Sequence, residues 1–93
     1  MQDVIIIGCG VAGAACAYRL SRFRLRLTVL EALSDVAGGT TKANSAILHA
    51  GYDPEPDTKM ARLNVEGVRM AEEICAKLDV PYRKTGSLVL AFS

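Results

Sequence analysis

Two short apolar runs near the start of the chain set the expected architecture. Val4–Ile7 is uninterrupted and mostly β-branched, and Leu27–Leu30 repeats the pattern with one threonine. Runs of this length and composition are typical of strands in a parallel sheet, which are covered on both faces. The residues between the runs are helix-prone. The sequence therefore predicts a strand over 3–8, a helix over 11–22 and a second, parallel strand over 26–31.

The second half of the chain carries a longer helical pattern. Asp57 or Thr58 is a candidate N-cap, and apolar residues then recur at three- and four-residue steps to about Leu78. The preceding stretch, 32–56, has no clear period and contains two prolines, which indicates a long loop with a function of its own. Residues 86–92 are predicted to form a further strand.

This order of elements predicts an α/β fold. We expect the N-terminal part of a Rossmann-like dinucleotide-binding domain, built on a parallel βαβ unit, followed by a long helix and the first strand of a substrate domain. The expected division is a partial nucleotide-binding domain over 1–80 and the start of the substrate-domain sheet over 81–93. Two strands are too few to cover the helices. We therefore expect the rest of a longer chain, or another copy, to cover the open sheet edge.

The loop between the first strand and its helix has the sequence Gly8-Cys9-Gly10-Val11-Ala12-Gly13. In a Gly-x-Gly-x-x-Gly motif, Gly8 allows the tight turn, Gly10 lets the backbone approach a pyrophosphate, and Gly13 lets the helix pack closely on the strand. The free N–H groups and positive dipole end of the helix then face the anion. The motif predicts a dinucleotide site, although glycines also cluster in loops for other reasons.

Two later features strengthen that prediction. Glu31 ends the second strand about twenty residues after the glycines, where its carboxylate can accept hydrogen bonds from a ribose hydroxyl. An acid in place of arginine disfavours NADP. The segment Gly38-Gly39-Thr40-Thr41 follows soon after and suggests a second backbone approach to a longer, flavin-bearing ligand. The plainer interpretations are a solvated strand end for Glu31 and a flexible loop for the glycine pair.

Composition argues against several classes of function. The 93 residues carry eleven Lys and Arg against ten Asp and Glu, so a nucleic-acid partner is not implied. Three cysteines form no paired framework, which predicts a cytoplasmic protein. No stretch is long and apolar enough to predict a membrane span. A local cluster of arginines lies where the first helix is predicted to end, and favourable interaction with that helix C-terminus explains it; its members are Arg19, Arg22, Arg24 and Arg26. A protein contact, or a peripheral contact at the inner face of the membrane, is the alternative. We assign no metal site.

Three segments together carry a resemblance to a known family. They are the glycine motif, Val29–Glu31 and, above all, Gly39–Pro54, which has the sequence GTTKANSAILHAGYDP. With them the whole chain resembles the N-terminal part of FAD-dependent oxidoreductases of the D-amino-acid-oxidase type. It is most similar there to the anaerobic-type glycerol-3-phosphate dehydrogenases and the L-2-hydroxyglutarate oxidases. Thr85–Ala91 also looks like the first substrate-domain strand of the family.

The resemblance implies an FAD-binding domain and a role for each matching residue. The pyrophosphate would be held by Gly8, Gly10, Val11, Ala12 and Gly13, and the adenosine ribose by Glu31 with Ala32 beside it. The path of the pyrophosphate and ribityl chain would be lined by Gly39, Thr40 and Thr41, and the flavin ring approached by Asn44 and Ser45.

His49, the only histidine, would lie near the reactive centre of the flavin by the same resemblance. Oxidation of a hydroxy acid or polyol phosphate by hydride transfer needs a base for the hydroxyl proton, and neutral histidine suits that role near pH 7. A histidine that only contacts flavin or backbone is the alternative, and the sequence leaves both open.

The implied function is a flavoprotein dehydrogenase that oxidises a secondary alcohol carrying a phosphate or carboxylate. Glycerol 3-phosphate, converted to dihydroxyacetone phosphate, is the first expectation, and L-2-hydroxyglutarate is the alternative. Ala46 stands where the aerobic glycerol-3-phosphate enzymes often carry lysine, which weakens the expectation of phosphate recognition. An alternative of another class is a truncated nucleotide-binding module: the 93 residues alone would neither hold FAD tightly nor turn over.

Overall fold

The computed structural model describes residues 1–92 and contains two strands and two helices within that range. In chain order they are β1 (Val4–Ile7), α1 (Val11–Leu20), β2 (Leu27–Leu30) and α2 (Lys59–Lys77). The chain forms two compact units. The first, Met1–Ile47, contains β1, α1 and β2, and the second begins at Leu48 and contains α2.

The first unit is the predicted parallel βαβ unit. β1 and β2 pair in parallel from Val4 opposite Leu27 to Ile7 opposite Leu30. Asp3 fixes the start of this register, because its N–H donates to the Arg26 carbonyl at 2.9 Å and its carboxylate accepts from the Arg26 N–H at 2.7 Å. The predicted strands are therefore confirmed, each slightly shorter than expected.

Helix α1 ends two residues earlier than predicted. The Ser21 N–H still donates to the Ala17 carbonyl at 2.9 Å, but the Phe23 N–H bonds to the Leu20 carbonyl at 3.0 Å, across three residues. The Ser21 hydroxyl also donates to the Tyr18 carbonyl at 2.6 Å. These shorter-range bonds replace the helical ladder and turn the chain towards β2 without a glycine.

Helix α1 lies against one face of the two-stranded sheet. A Cβ added to Gly13 would be 3.3 Å from Ile6 Cγ2, so Ile6 points towards the helix. On the alternate face Ile5 is 55% exposed and Ile7 is 87% exposed. The expectation that β1 is covered on both faces thus holds for one face only.

Helix α2 begins where the sequence predicted. The Thr58 hydroxyl accepts a hydrogen bond from the Ala61 N–H at 3.1 Å, so Thr58 and not Asp57 is the N-cap. The helix ends at Lys77, one residue before the expected end, with an i, i+4 ion pair of 3.1 Å between Lys77 and Glu73.

The predicted strand over 86–92 does not form. Residues 80–92 have no regular secondary structure, and Leu88 and Phe92 are 93% and 91% exposed. Lys84 Nζ lies 2.9 Å from Glu72 Oε2, and this hydrogen bond raises the pKa of Lys84 and ties the beginning of the segment to α2. A strand also needs a partner for its own N–H and C=O groups, and the described residues supply none.

Residues 1–92 enclose no hydrophobic core of their own, since none of these side chains is buried. The accessible surface is 8364 Å². Two separate folded units of half this length would together expose roughly 6,300 Å² by the usual scaling with mass. The excess is apolar in large part, because many leucine, isoleucine and valine side chains are exposed.

Candidate functional site

The turn from β1 into α1 is made by glycines that no other residue could replace without strain. Gly8 has φ +99°, in the left-handed region, and its N–H donates to the Leu30 carbonyl at 2.7 Å. A Cβ on Gly13 would lie 2.0 Å from the Gly8 carbonyl oxygen. The start of the helix and the end of the strand are therefore in direct backbone contact.

The N-terminus of α1 presents free donors at this turn. Gly10 is the N-cap, and the first helical bond runs from the Ala14 N–H to the Gly10 carbonyl at 2.9 Å. The three preceding N–H groups have no partner inside the helix. The Val11 N–H donates to Thr41 Oγ1 at 2.9 Å, whereas those of Ala12 and Gly13 have no partner within residues 1–92. Free N–H groups at the positive end of a helix dipole are suited to an anion.

Glu31 lies at the same turn and is held there by backbone donors. Its Oε1 accepts from the Cys9 N–H at 2.9 Å, and its Oε2 accepts from the Leu33 N–H at 3.1 Å. The bond from Cys9, and then the bond from Leu33, hold the pKa of Glu31 below its ordinary value. The carboxylate is therefore ionised near neutral pH, and each oxygen keeps a lone pair that can accept from a hydroxyl. Ala32 follows it and is exposed.

The loop after β2 returns to the glycine turn. The Ala37 N–H donates to the Cys9 carbonyl at 2.9 Å, and Thr41 Oγ1 lies 3.1 Å from where a Gly10 Cβ would stand. Within the loop the Gly39 and Thr40 carbonyls accept from the N–H groups three residues later. The structure thus brings the two glycine segments together. Sequence reasoning missed the backbone contacts of Cys9 and Ala37, because backbone hydrogen bonds across a loop do not depend on side-chain identity.

Asn44 and Ser45 lie further along the same loop. The Asn44 side chain donates to the Thr41 carbonyl at 2.6 Å and accepts from the Ala46 N–H at 2.7 Å. Ala46 has φ +58°, a left-handed conformation that these bonds stabilise. Asn44 therefore shapes the loop around Thr41, while Ser45 is exposed.

His49 belongs to the second unit and has two partners that sequence reasoning missed. Its Nδ1 lies 2.9 Å from Asp53 Oδ2, and its carbonyl accepts from Asn64 Nδ2 at 3.1 Å. An acid four residues after the only histidine was the signal available for Asp53. Asn64 comes from α2 and gave no such signal.

Residues 1–92 hold neither a cluster of metal ligands nor a membrane-spanning helix. No group of three or more His, Cys, Asp or Glu side chains is arranged to hold a metal ion there. Over the same residues, neither helix combines the length and apolar character that crossing a membrane requires.

Comparison with known proteins assigns the chain to a family. The family described as FAD dependent oxidoreductase matches residues 3–93. The chain belongs to the FAD-dependent oxidoreductase family. FAD is the cofactor of that family, and the chain is similar over nearly its whole length to parts of its enzymes.

Three relatives illustrate the range of names within the FAD-dependent oxidoreductases. A glycerol 3-phosphate dehydrogenase of Caloramator mitchellensis is 51% identical over 99% of this chain and 19% of its own length. A glycerol 3-phosphate oxidase of Mycoplasma genitalium is 38% identical over 98% and 24%. A mitochondrial L-2-hydroxyglutarate dehydrogenase of Arabidopsis thaliana is 33% identical over 96% and 18%. The chain spans about a fifth of the length of these curated relatives.

The residues present fit the adenine-dinucleotide end of FAD. The Gly8–Gly13 backbone contact leaves no side chain in the turn, and the Ala12 and Gly13 N–H groups are donors for a phosphate oxygen. Glu31 supplies an ionised acceptor of the kind that a ribose diol requires.

Proposed function

We propose that this chain supplies the pyrophosphate- and ribose-binding part of the FAD site in a flavoprotein dehydrogenase. The observation that supports it most directly is the Glu31 carboxylate, fixed at the glycine turn by the Cys9 N–H at 2.9 Å. A solvated strand end would not bond across 22 residues to the loop where the anion-binding donors lie.

The proposed binding roles follow from the groups that each residue presents. The pyrophosphate is bound by Gly8, Gly10, Val11, Ala12 and Gly13, and the ribose by Glu31 with Ala32 beside it. The remaining path is lined by Gly39, Thr40 and Thr41, with Asn44 and Ser45 towards the flavin. Because Thr41 Oγ1 already accepts from the Val11 N–H, its hydroxyl proton is free to donate to a phosphate oxygen.

The substrate that we propose is a secondary alcohol with a phosphate or carboxylate group. Glycerol 3-phosphate, oxidised to dihydroxyacetone phosphate, is favoured because relatives named for it are 51% and 38% identical to this chain. L-2-hydroxyglutarate is the alternative, supported by a relative at 33%. FAD, when bound, accepts a hydride from the substrate carbon. His49 takes the hydroxyl proton on its imidazole.

The proposal also covers what packs on the chain, how the chain divides into domains and which compartment it occupies. The rest of a longer chain, or another copy, would cover the sheet edge and the exposed Ile5 and Ile7. Residues 1–80 would belong to the FAD domain and 81–93 to the substrate-domain sheet. Three free cysteines favour the cytoplasm, with a peripheral contact at the inner face of the membrane as the alternative.

Anaerobic bleaching of the visible flavin band tests the activity. The longest natural protein that contains this chain is purified with its FAD and mixed separately with glycerol 3-phosphate and with L-2-hydroxyglutarate. Bleaching by glycerol 3-phosphate alone is expected. Bleaching by L-2-hydroxyglutarate alone transfers the assignment to the alternative, and bleaching by neither contradicts both.

A second candidate concerns the 93 residues by themselves. Because no side chain of residues 1–92 is buried, the isolated chain should be an inactive module that holds FAD weakly. The isolated chain is therefore expected to lose its yellow colour on gel filtration. Stoichiometric FAD after that step, or any turnover, would contradict this expectation.

A further inference from the structure

His49 and Asp53 form a pair within one exposed loop. The distance from His49 Nδ1 to Asp53 Oδ2 is 2.9 Å, and the two side chains are 65% and 52% exposed. An exposed pair of this kind contributes little to stability. The pair matters instead because it determines which ring nitrogen of neutral His49 carries the hydrogen.

The geometry fixes the tautomer of neutral His49. An ionised carboxylate only accepts hydrogen bonds, so the ring nitrogen facing Asp53 must carry the hydrogen. The lone pair of the neutral ring is then on Nε2. A base that accepts a hydroxyl proton needs such a lone pair, and Nε2 is the atom that offers it.

Helix α2 holds the loop that carries this pair. Asn64 Nδ2 donates to the His49 carbonyl at 3.1 Å. Gly51, between the paired residues, has φ +116°, and a Cβ there would lie 2.7 Å from Val65 Cγ2. Asn64 Oδ1 is shielded from solvent and has no hydrogen-bond partner within residues 1–92, so the bond from Nδ2 to the His49 carbonyl is what orients the Asn64 amide. The loop is therefore anchored on one turn of α2.

We propose that Asp53 is a positioning residue that keeps the lone pair of His49 on Nε2, and that Asn64 anchors the loop bearing both. This inference rests on the proposed function. In the reaction FAD, when bound, would accept the hydride from the substrate carbon, and the hydroxyl proton would pass to His49 Nε2 as the alcohol becomes a carbonyl. Asp53 accepts the Nδ1–H bond throughout and takes no proton.

Asp53→Asn tests the proposal in the full-length FAD-loaded protein. The amide can present a donor or an acceptor to Nδ1, so the tautomer is no longer fixed. We expect kcat to fall about 100-fold, with KM and FAD content unchanged, because the amide neither fixes the tautomer nor stabilises the imidazolium that forms when Nε2 takes the proton. In ¹⁵N-histidine spectra, the signal that disappears in His49→Gln is assigned to His49. It should show protonated Nδ1 in the wild type and a mixture in Asp53→Asn.

Two further variants separate positioning from charge. Asp53→Glu should recover part of kcat, because it restores an acceptor. Glu55→Gln removes an exposed carboxylate two residues away and should change neither kcat nor the tautomer. Asn64→Ala should lower kcat about fivefold while leaving the tautomer intact, since it frees the loop without removing the Nδ1 partner; the lost bond corresponds to about 1 kcal/mol.

The outcomes distinguish this inference from the proposed function. An unchanged tautomer in Asp53→Asn, or a kcat within threefold of the wild type, would overturn the positioning role. A wild-type protein whose flavin neither substrate bleaches would contradict the proposed function. In that case the ¹⁵N spectra, which need no substrate, still decide whether Asp53 fixes the His49 proton.

Discussion

The two units of the chain hold their functional groups by different means. In the first unit, backbone atoms make most of the contacts: the Gly8 carbonyl lies against Gly13, and backbone N–H groups donate to the Glu31 carboxylate. In the second unit, side chains make them: the Asp53 carboxylate contacts the His49 ring, and the Asn64 amide donates to the His49 carbonyl. A backbone site is sensitive to a Cβ added where backbone atoms touch, as at Gly13. A side-chain site fails when one polar atom is removed.

Gly13→Ala should give the largest effect on the first unit. The new Cβ would lie 2.0 Å from the Gly8 carbonyl, which is backbone and has little freedom to move. We expect a loss of about 3 kcal/mol in the free energy of unfolding, at the upper end for overpacking, and loss of FAD. Urea unfolding and the absorbance ratio of flavin to protein measure the two effects. Stoichiometric FAD in this variant would show that the turn is not built on backbone contact.

Thr41→Val tests the side chain that accepts from the first N–H group of α1. It keeps the shape of Thr41 but removes the acceptor of the Val11 N–H. We expect a cost of about 1.5 kcal/mol in unfolding free energy, as for the loss of a capping residue. Thr41→Ser, which keeps the hydroxyl, is the matched control and should stay close to the wild type. Equal losses in both variants would contradict a role for the hydroxyl alone, because serine keeps the hydroxyl and lacks only the methyl group.

Gly67→Ala should raise the free energy of unfolding, whereas the two preceding variants lower it. Gly67 lies in the middle of α2, and a Cβ there would meet nothing within 4 Å. Alanine should therefore stabilise the protein by about 1 kcal/mol through helix propensity. Urea unfolding measures this gain in the longest protein that contains the chain. A loss instead would show that a neighbouring element packs on this face of α2.

Glu31 should give a small pH-dependent effect. Its pKa is lowered in the folded state, so its stabilising contribution is present above the ordinary value of 4.5 and is lost as pH falls through the lower, folded value. The difference in urea midpoint between the wild type and Glu31→Gln should thus be constant at neutral pH and shrink below pH 4.5. A difference that does not change with acidification would mean that the Cys9 and Leu33 bonds do not depend on the charge.

The strands show the same contrast between local and distant determinants. β1 and β2 were predictable because each lies next to its partner in the sheet, joined by a short crossover through α1. The segment 86–92 has an equally apolar pattern but no such neighbour within residues 1–92, and it forms no strand. Apolar patterning indicates a preference for extended backbone, whereas a strand also requires a partner.

The sequence by itself determined the order β1–α1–β2, the need for glycine at the turn, the acid at position 31 and, to within one residue, the N-cap of α2. These depend on residues close together in the chain, or on conformations that only certain residues can adopt. Only the tertiary structure decided that Thr41 reaches the Val11 N–H, that Glu31 bonds to Cys9, and that Asn64 anchors the loop of His49. Such contacts join residues 15 to 30 positions apart, and their geometry exists only once the chain has folded.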